Sequence, residues 1–507
     1  MLYPMQQSSI KFNAAMNLLN TFARIAVPLI TVPYTSRILG PGCSGKIAFV
    51  VATTQWFSFA AIAGLGVYAS REIAKLRHDQ EARTRAALEF AIINAGCVLI
   101  AALAFLGCYA ALPRLQQEPV LMLAYGCVLL LGIFEFGWFF QGLEDYRYIT
   151  MRNLMAQILG AIGIFIFIHQ SADYVWVGWL TLGAGVLTAM VNVRHFWRLI
   201  QPLPRIRLQP ARFFRPLGFS FIWYLLAAVQ LTADMQIVGW LTDDHSTGLY
   251  NAAVRLNKMT LALLTCLAGV LMPRLSHCLA SGKHDEYQRL GNLSFRFIWT
   301  FGLPAVAGIV LLAPDLVQAL AGQRFVGAIP MMRLMAPLIV VVALRDFASG
   351  NILYPNHRER WIFGFTLFSA ISIPLLGLAL LPGSSAPGMM MAGILLGVET
   401  VNAIGLLFLA SRLFPLDWLS RGNRLAIVNT AIMAVVVVAV HQALLRLPLP
   451  ADSLTLAAIV RLGGAVLAGL GTYAGLLLWQ RDPLMMNPLR PLTRRWMVPP
   501  STPPGEI

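Results

Sequence analysis

The sequence predicts an all-α protein that crosses a membrane many times, and three observations support this prediction. First, 58% of its 507 residues are hydrophobic and only 12% are charged, whereas soluble domains average about 25% charged residues. Second, apolar runs of roughly 20 residues, the length that a helix needs to cross the hydrocarbon core, recur about fourteen times. Third, runs such as AVVVVAV at 434–440 are continuous, whereas the strands of a membrane β-barrel alternate polar and apolar residues.

The predicted spans follow one another with short connections, so no sizeable soluble domain fits between them. They are 11–36, 45–68, 86–111, 119–141, 146–168, 174–197, 216–241, 248–273, 291–313, 328–351, 361–381, 387–411, 425–445 and 456–479. We expect two six-helix lobes, 1–205 and 206–412, followed by two additional transmembrane helices within 413–480 and a cytoplasmic tail, 481–507. The lobe boundary falls in the basic, proline-containing connection 201–216.

The distribution of basic residues predicts the orientation in the membrane. With a cytoplasmic amino terminus, 25 Lys and Arg fall in the connections and tails on that side, and five fall on the other side. Cytoplasmic loops of membrane proteins are enriched in Lys and Arg, so we expect both termini in the cytoplasm. The net charge of +16 is therefore a consequence of topology, and we expect no nucleic-acid partner.

A weak internal repeat relates the beginnings of the second and eighth spans. The strings SGKIAFV at 44–50 and TGLYNAA at 247–253 align at an offset of 203 residues. Six spans fit in this offset, and six is an even number. The two repeats would therefore share one orientation, as they do in transporters with parallel repeats.

Two spans carry polar residues at helical spacing on an otherwise apolar surface. These residues are Asn13, Asn17, Asn20 and Arg24 in the first span, and Asn251, Arg255, Lys258 and Thr265 in the eighth. A basic side chain that faces lipid costs about 2.5 to 3.5 kcal/mol, so we expect Arg24, Arg255 and Lys258 to face water or a polar partner. The two stripes, with Arg345 as a further candidate, predict a central basic cavity. The alternative is that these cations pair with buried carboxylates for structure alone.

Four acidic residues fall within the predicted spans: Glu135, Asp234, Asp346 and Glu399. Buried carboxylates bind H⁺ more readily than exposed ones and can also bind Na⁺, which suits ion coupling. Asp234 is the preferred coupling residue because Gln230 lies one helical turn before it, and Glu135 and Glu399 are further candidates. For each acid, a static ion pair with an Arg residue is the alternative.

The sequence gives no signal for catalysis or for a resident cofactor. It contains neither a zinc-binding HExxH motif nor a complete Walker-type phosphate loop. The six cysteines lack metal-ligand spacing and fall mostly in apolar runs, so we expect no disulfide bonds. We therefore expect a secondary transporter and not an enzyme, with no metal and no cofactor.

Four strings carry a resemblance to a known family. They are VPYTSRILGP at 32–41 followed by Gly45, WFFQGLE at 138–144, GLYNAAVRL at 248–256 and GQRF at 322–325. Together they resemble the Wzx-type polysaccharide flippases of the multidrug/oligosaccharidyl-lipid/polysaccharide (MOP) exporter superfamily. The resemblance is strongest in the second and third strings.

The resemblance implies a V-shaped pair of six-helix lobes that operates by alternating access coupled to H⁺ or Na⁺. The implied activity moves an undecaprenyl-diphosphate-linked oligosaccharide from the cytoplasmic to the periplasmic leaflet of a bacterial inner membrane. It implies cavity roles for Arg24, Asp234 and Arg255, and also for Lys258 and Arg345. Its implied partners are the lipid-linked oligosaccharide, membrane lipids and polysaccharide polymerase machinery.

Three alternative functions stay open. A cation-coupled multidrug exporter of the same superfamily would prefer an acidic, aromatic cavity, so the basic stripes argue against it. A flippase for lipid-linked peptidoglycan precursors would also need a cationic cavity, so charge does not separate it from a polysaccharide flippase. A membrane polysaccharide polymerase or glycosyltransferase would need a large catalytic loop, and the longest gaps, near 197–216 and 273–291, are short.

Overall fold

The computed structural model confirms an all-α fold. It describes residues 10–62, 65–200, 208–418, 420–446, 454–482 and 484–485, and this part of the chain contains helices and no strand. The α-helices, in chain order, are α1 (Ile10–Ile62), α2 (Leu65–Lys75), α3 (Gln80–Ala111), α4 (Pro119–Leu131), α5 (Gly137–Gly142), α6 (Tyr146–Phe167), α7 (Val175–Leu199), α8 (Phe214–Leu241), α9 (Asp244–Ala280), α10 (His284–Leu320), α11 (Ile329–Met335), α12 (Leu338–Asp346), α13 (Glu359–Leu380), α14 (Pro387–Ser411), α15 (Arg421–Leu445) and α16 (Leu454–Trp479).

The chain is a multi-pass membrane protein, although the exact count of fourteen spans is not confirmed. Within the described residues, 11 helices are long and apolar enough to cross a membrane, or 12 if the bent pair Gln323–Met335 and Leu338–Leu353 forms one span. Leu19–Lys75, which is 57 residues long, contains the predicted span 45–68 and most of the predicted span 11–36. Helix α9 contains the predicted span 248–273 but is not among these candidates, and it carries the charged residues Arg255 and Lys258.

A break at Gly40 divides α1 into two helical parts. The φ angle of Gly40 is 72°, a left-handed conformation that glycine adopts at little cost. Beyond the break, α1 approaches α9 unusually closely. A Cβ atom at Gly45 would lie 1.8 Å from the carbonyl oxygen of Asp244, and a Cβ atom at Gly248 would lie 1.9 Å from that of Pro41. Only glycine fits at these two positions, as is common where membrane helices cross closely.

The predicted span 119–141 is broken in the structure. Helix α4 ends at Leu131, a 3₁₀ turn occupies Gly132–Phe134, and α5 begins at Gly137. The amide of Asn94 in α3 donates hydrogen bonds to the carbonyl oxygens of Gly132 at 2.9 Å and Ile133 at 3.2 Å. Irregular backbone within a membrane protein requires such internal partners, and Asn94 supplies them here.

The predicted span 328–351 is also broken. Helices α11 and α12 flank Pro337, and a π-helical segment, Phe347–Leu353, follows α12. The bend between the two parts of this span is 45°. Because proline has no backbone N–H and its ring obstructs the preceding turn, Pro337 accounts for the bend.

The chain forms two compact units, each with its own core. Unit 1 comprises Met1–Ala253, Leu320–Ala328 and Thr366–Leu395, and unit 2 comprises Val254–Ala319, Ile329–Phe365 and Leu396–Ile507. The string WFFQGLE contributes Trp138, Phe139 and Phe140 to an aromatic cluster in unit 1, and Phe295 and Phe347 lie in the core of unit 2. The predicted lobe boundaries stay a prediction.

Helices α15 and α16 fall in the predicted segment 413–480 and pack against α10 within unit 2. The hydroxyl of Tyr473 donates to the carbonyl oxygen of Thr300 at 2.6 Å. Asp315 of α10 is buried, and its Oδ2 lies 2.5 Å from Nε2 of His441. Polar contacts therefore hold these two helices in place together with apolar packing.

Candidate functional site

Arg255 and Lys258 lie on an exposed side of α9 in unit 2. Both residues are exposed, whereas Leu256 and Asn257 between them are only 8% and 5% exposed. The amide of Asn257 donates to the carbonyl oxygen of Met332 at 3.3 Å, which fixes the buried face of α9 against α11. The two cations therefore face out of the packed interior of unit 2.

The polar residues of the first predicted span lie on α1 in unit 1. Arg24 is exposed, and Asn20 is half-buried. The Oδ1 atom of Asn20 accepts a hydrogen bond from Nδ2 of Asn153 in α6 at 3.1 Å. The side chains of Asn13 and Asn17 lie outside the described residues. The structure places Arg24 on the surface of unit 1, and a cavity shared with the α9 cations stays a prediction.

Asn251 lies one turn before Arg255 on α9 and is half-buried. The spacing of four and then three residues from Asn251 to Arg255 and Lys258 places all three on one side of the helix. The side chain of Thr265, the last member of the predicted stripe, lies outside the described residues. The described part of α9 therefore has the polar side that the sequence predicts.

Arg345 and Glu399 form one ion-paired cluster in unit 2. Nη1 of Arg345 lies 2.6 Å from Oε2 of Glu399, and Nη2 lies 2.8 Å from Oδ1 of Asp346. One guanidinium thus contacts two carboxylates. We predicted substrate binding for Arg345 and ion coupling for Glu399. The structure shows that the two side chains form an ion pair, and their roles in transport stay predictions.

Asp234 is a buried carboxylate of α8 in unit 1. It is 2% exposed, and its Oδ2 accepts a hydrogen bond from the hydroxyl of the fully buried Tyr250 at 3.0 Å. Its Oδ1 atom has no hydrogen-bond partner among the described residues. An ionised carboxylate in such a place is costly unless it is paired. The role of Asp234 in ion coupling stays a prediction.

Glu135 lies at the break between α4 and α5 and is partly exposed. Its Oε1 accepts from the backbone N–H of Gly137 at 3.0 Å and lies 3.7 Å from Nη1 of Arg152. It lines a cavity of about 330 Å³ within unit 1. Glu135 thus stabilises the local break as well as facing a cavity.

Two residues near Glu135 were not singled out from the sequence. Arg152 is buried, and its Nη1 donates to Oδ1 of Asn192 at 2.7 Å. The hydroxyl of Tyr148 donates to the same oxygen at 3.0 Å. The available signal was a polar Asn within the apolar sixth predicted span, which in a membrane helix indicates a buried partner.

The described residues contain no group of three or more His, Cys, Asp and Glu that could hold a metal ion.

Two family models match this chain over more than half of its length. The model described as polysaccharide biosynthesis protein matches residues 10–279. The model described as lipid II flippase MurJ matches residues 151–443. Together they extend from the start of α1 into α15.

Two curated relatives have similar sequences over most of their length. A "Putative O-antigen transporter" of Escherichia coli (strain K12) is 23% identical over 359 residues, which cover 69% of this chain and 84% of that protein. A protein of Shigella dysenteriae with the same description is 23% identical over 356 residues, covering 69% of this chain and 87% of that protein.

Two solved structures show the type of fold. Lipid II flippase MurJ in an inward closed conformation matches with a TM-score of 0.71 and 12% identity, covering 93% of this chain and 100% of that one. A multidrug resistance MATE family transporter of the MOP superfamily, in an inward-facing conformation, matches with a TM-score of 0.62 and 15% identity, covering 78% of this chain and 94% of that one. The chain therefore has the MurJ/MATE fold.

Proposed function

This chain belongs to the polysaccharide biosynthesis protein family, and we propose that it is a flippase for a lipid-linked oligosaccharide. The family model and the relatives described as O-antigen transporters support this function. The proposed substrate is undecaprenyl-diphosphate-linked oligosaccharide, which moves from the cytoplasmic to the periplasmic leaflet of a bacterial inner membrane. Both termini of the protein lie in the cytoplasm in this proposal, and polysaccharide polymerase machinery receives the product.

The exposed cations of α9 are the observation that supports this substrate best. Arg255 and Lys258 face out of unit 2 on a helix whose other side is buried. A diphosphate is an anion that Arg and Lys bind through strong charge-assisted hydrogen bonds. In this proposal Arg255 and Lys258 bind the diphosphate, Arg24 of α1 is a further substrate-binding residue, and the polyprenyl chain stays in lipid.

Ion coupling is assigned to Asp234 in this proposal. Its carboxylate is buried, accepts one hydroxyl hydrogen bond, and has a second oxygen with no hydrogen-bond partner among the described residues. A site of this kind responds to an ion gradient, because its occupancy changes the charge buried in the protein. Occupation by H⁺ or Na⁺ would bias the protein toward one of its alternating conformations.

Replacing Asp234 with Asn is expected to remove the stimulation of transport by an ion gradient. The amide has nearly the same shape and still accepts from Tyr250, but it neither releases a proton nor neutralises a cation. Moving one charge through a potential of 100 mV changes its free energy by about 2.3 kcal/mol. The gradient could therefore stimulate transport by the unaltered protein up to roughly fiftyfold, and the variant should lose this stimulation. The measurement is transport of a lipid-linked oligosaccharide in proteoliposomes, with and without proton or sodium gradients.

The exposed Asp285 provides the control for this prediction. Asp285→Asn removes the same charge at the beginning of α10 and should leave the gradient response unchanged. If Asp234→Asn transports with the same gradient response as the unaltered protein, the coupling role of Asp234 is wrong.

A second candidate is a flippase for lipid-linked peptidoglycan precursors. The MurJ family model matches residues 151–443, and the MurJ structure covers 93% of this chain. Such a precursor also carries a diphosphate, so Arg255 and Lys258 fit either substrate. A multidrug exporter is less well supported, because these exposed cations would repel cationic drugs.

Deletion of the gene, followed by extraction of lipid-linked glycans, separates the two flippase functions. The polysaccharide flippase predicts that a lipid-linked oligosaccharide unit accumulates and that surface polysaccharide disappears while the cells still grow. Arrested cell-wall synthesis with accumulated peptidoglycan precursor would instead establish the second candidate. If neither lipid accumulates, and the restored gene changes neither level, both flippase functions are wrong.

A further inference from the structure

A polar cavity lies in unit 2 at the amino-terminal ends of α10 and α15. Its volume is about 650 Å³. The polar and charged residues that line it include Arg289, Asn292, Arg296, Asp417, Arg421 and Asn423. Neither Arg255 nor Lys258 is among the lining residues, so this cavity is distinct from the proposed substrate site.

The charge of this cavity is positive. Three of its lining residues are Arg, and Asp417 is the acidic one. Arg296 pairs with Asp482, whereas Arg289 and Arg421 are exposed and form no ion pair within the described ranges. Gly422 allows this arrangement, because a Cβ atom there would lie 2.2 Å from Nε of Arg296. The cavity therefore presents two exposed guanidinium groups to an anion.

The cavity also contains buried polar atoms without partners in the described part of the chain. Asn423 is 2% exposed, and its Nδ2 donates to the carbonyl oxygens of Asp417 and Trp418. Its Oδ1 has no hydrogen-bond partner there, and neither has Oδ1 of Asn292 or Nε of Arg296. Buried polar atoms are nearly always satisfied. The amide oxygens would accept hydrogen bonds from hydroxyl groups, while the guanidinium groups would bind a phosphate.

The position of the cavity fits a lipid headgroup. It lies at the ends of two candidate membrane spans, His284–Leu320 and Arg421–Leu445. Trp418 packs against Phe295 and Trp299 beside it, with ring centroids 5.1 and 6.4 Å apart. Tryptophan is enriched at the level of the headgroups. In the predicted topology this is the cytoplasmic end, where basic pockets between membrane helices bind anionic headgroups.

We propose that this cavity binds a phosphate ester that carries free hydroxyl groups. The phosphoglycerol headgroup of an anionic phospholipid has this chemistry, and so does soluble glycerol phosphate. The bound phosphate bridges Arg289 of α10 and Arg421 of α15, and the hydroxyls donate to the two Asn side chains. Because it joins α10 to α15, the ligand stabilises the attachment of the carboxy-terminal helices.

Binding to the purified full-length protein tests this site. Native mass spectrometry would measure retention of phosphatidylglycerol, phosphatidylcholine and glycerol 3-phosphate, and thermal unfolding would measure stabilisation by each. The test variant is Arg289→Gln with Arg421→Gln. The control is Arg358→Gln with Arg360→Gln, which removes two exposed charges of unit 2 that do not line the cavity.

The unaltered protein and the control are expected to retain phosphatidylglycerol in preference to phosphatidylcholine. The test variant should lose roughly thirtyfold in affinity, the effect expected for two basic residues near an anionic headgroup. Equal binding of glycerol 3-phosphate and phosphatidylglycerol would support the phosphate-ester site and assign it to a soluble ligand. Equal loss in both variants, or unchanged binding in the test variant, would overturn the proposal.

Discussion

Export of surface polysaccharide is expected to fall at least tenfold when Arg255 is replaced by Ala, with the protein still present in the membrane. Arg255 is exposed on α9, so its removal leaves no cavity in the core. A hydrogen bond to a charged group contributes about 1.5 to 3 kcal/mol, which corresponds to roughly tenfold to 150-fold in binding. The measurement is surface polysaccharide in a deletion strain that carries each variant, normalised to the membrane level of the protein.

Two further variants test whether Arg255 acts through its positive charge alone or through bidentate hydrogen bonds. Arg255→Lys keeps the positive charge but loses the bidentate geometry of the guanidinium group, so it should restore part of the export. Arg360→Ala removes an exposed Arg at the beginning of α13 and should leave export unchanged. Normal export by both Arg255→Ala and the double variant Arg255→Ala with Lys258→Ala would contradict a cationic substrate site on α9.

The largest loss of stability is expected from adding a single methyl group to Gly45 or Gly248. Each Cβ atom would lie less than 2 Å from a backbone carbonyl oxygen, at Asp244 and Pro41 respectively. Backbone atoms do not move aside as a flexible side chain does, so the penalty should exceed the ~1 to 3 kcal/mol typical of overpacking. Gly45→Ala and Gly248→Ala should each lower the yield of monodisperse protein in detergent and its melting temperature.

Gly42 provides a matched control on the same helix. A Cβ atom at Gly42 would have nothing within 4 Å, so Gly42→Ala should melt at or slightly above the temperature of the unaltered protein. The result that would contradict the close approach of α1 and α9 is a Gly45→Ala variant as stable as Gly42→Ala.

The sequence was sufficient to predict the helical membrane fold and most helix positions, because an apolar run of about twenty residues is typical of a transmembrane helix. It was not sufficient to predict the break at Gly132 within the predicted span 119–141. The partner that stabilises this break, Asn94, lies in another helix. Pro337 is a visible signal for the second break, but a proline alone does not predict a break, since Pro28 of α1 and Pro304 of α10 lie within continuous helix.

Site prediction was limited for a similar reason. Intramembrane charge identified Arg345 and Glu399 as unusual, but the pairing across 54 residues that joins them depends on how α12 and α14 pack. Asp234 was identified by the same criterion, and only the structure shows that its hydroxyl partner is Tyr250. Sequence periodicity thus predicts which side chains are polar on a helix, whereas their partners follow from tertiary structure.

The glycine contacts between α1 and α9 have a further consequence. Gly45 faces the carbonyl of Asp244, and Gly248 faces that of Pro41. The repeat offset of 203 residues relates Gly45 to Gly248 and Pro41 to Asp244. The repeat therefore converts each of the two contacts into the other. This reciprocity is the mark of an isologous interface between two identical subunits, here contained in one polypeptide. In an ancestor with a single repeat that formed a homodimer, one glycine position would have made both contacts. One substitution there would have disrupted both contacts of the interface.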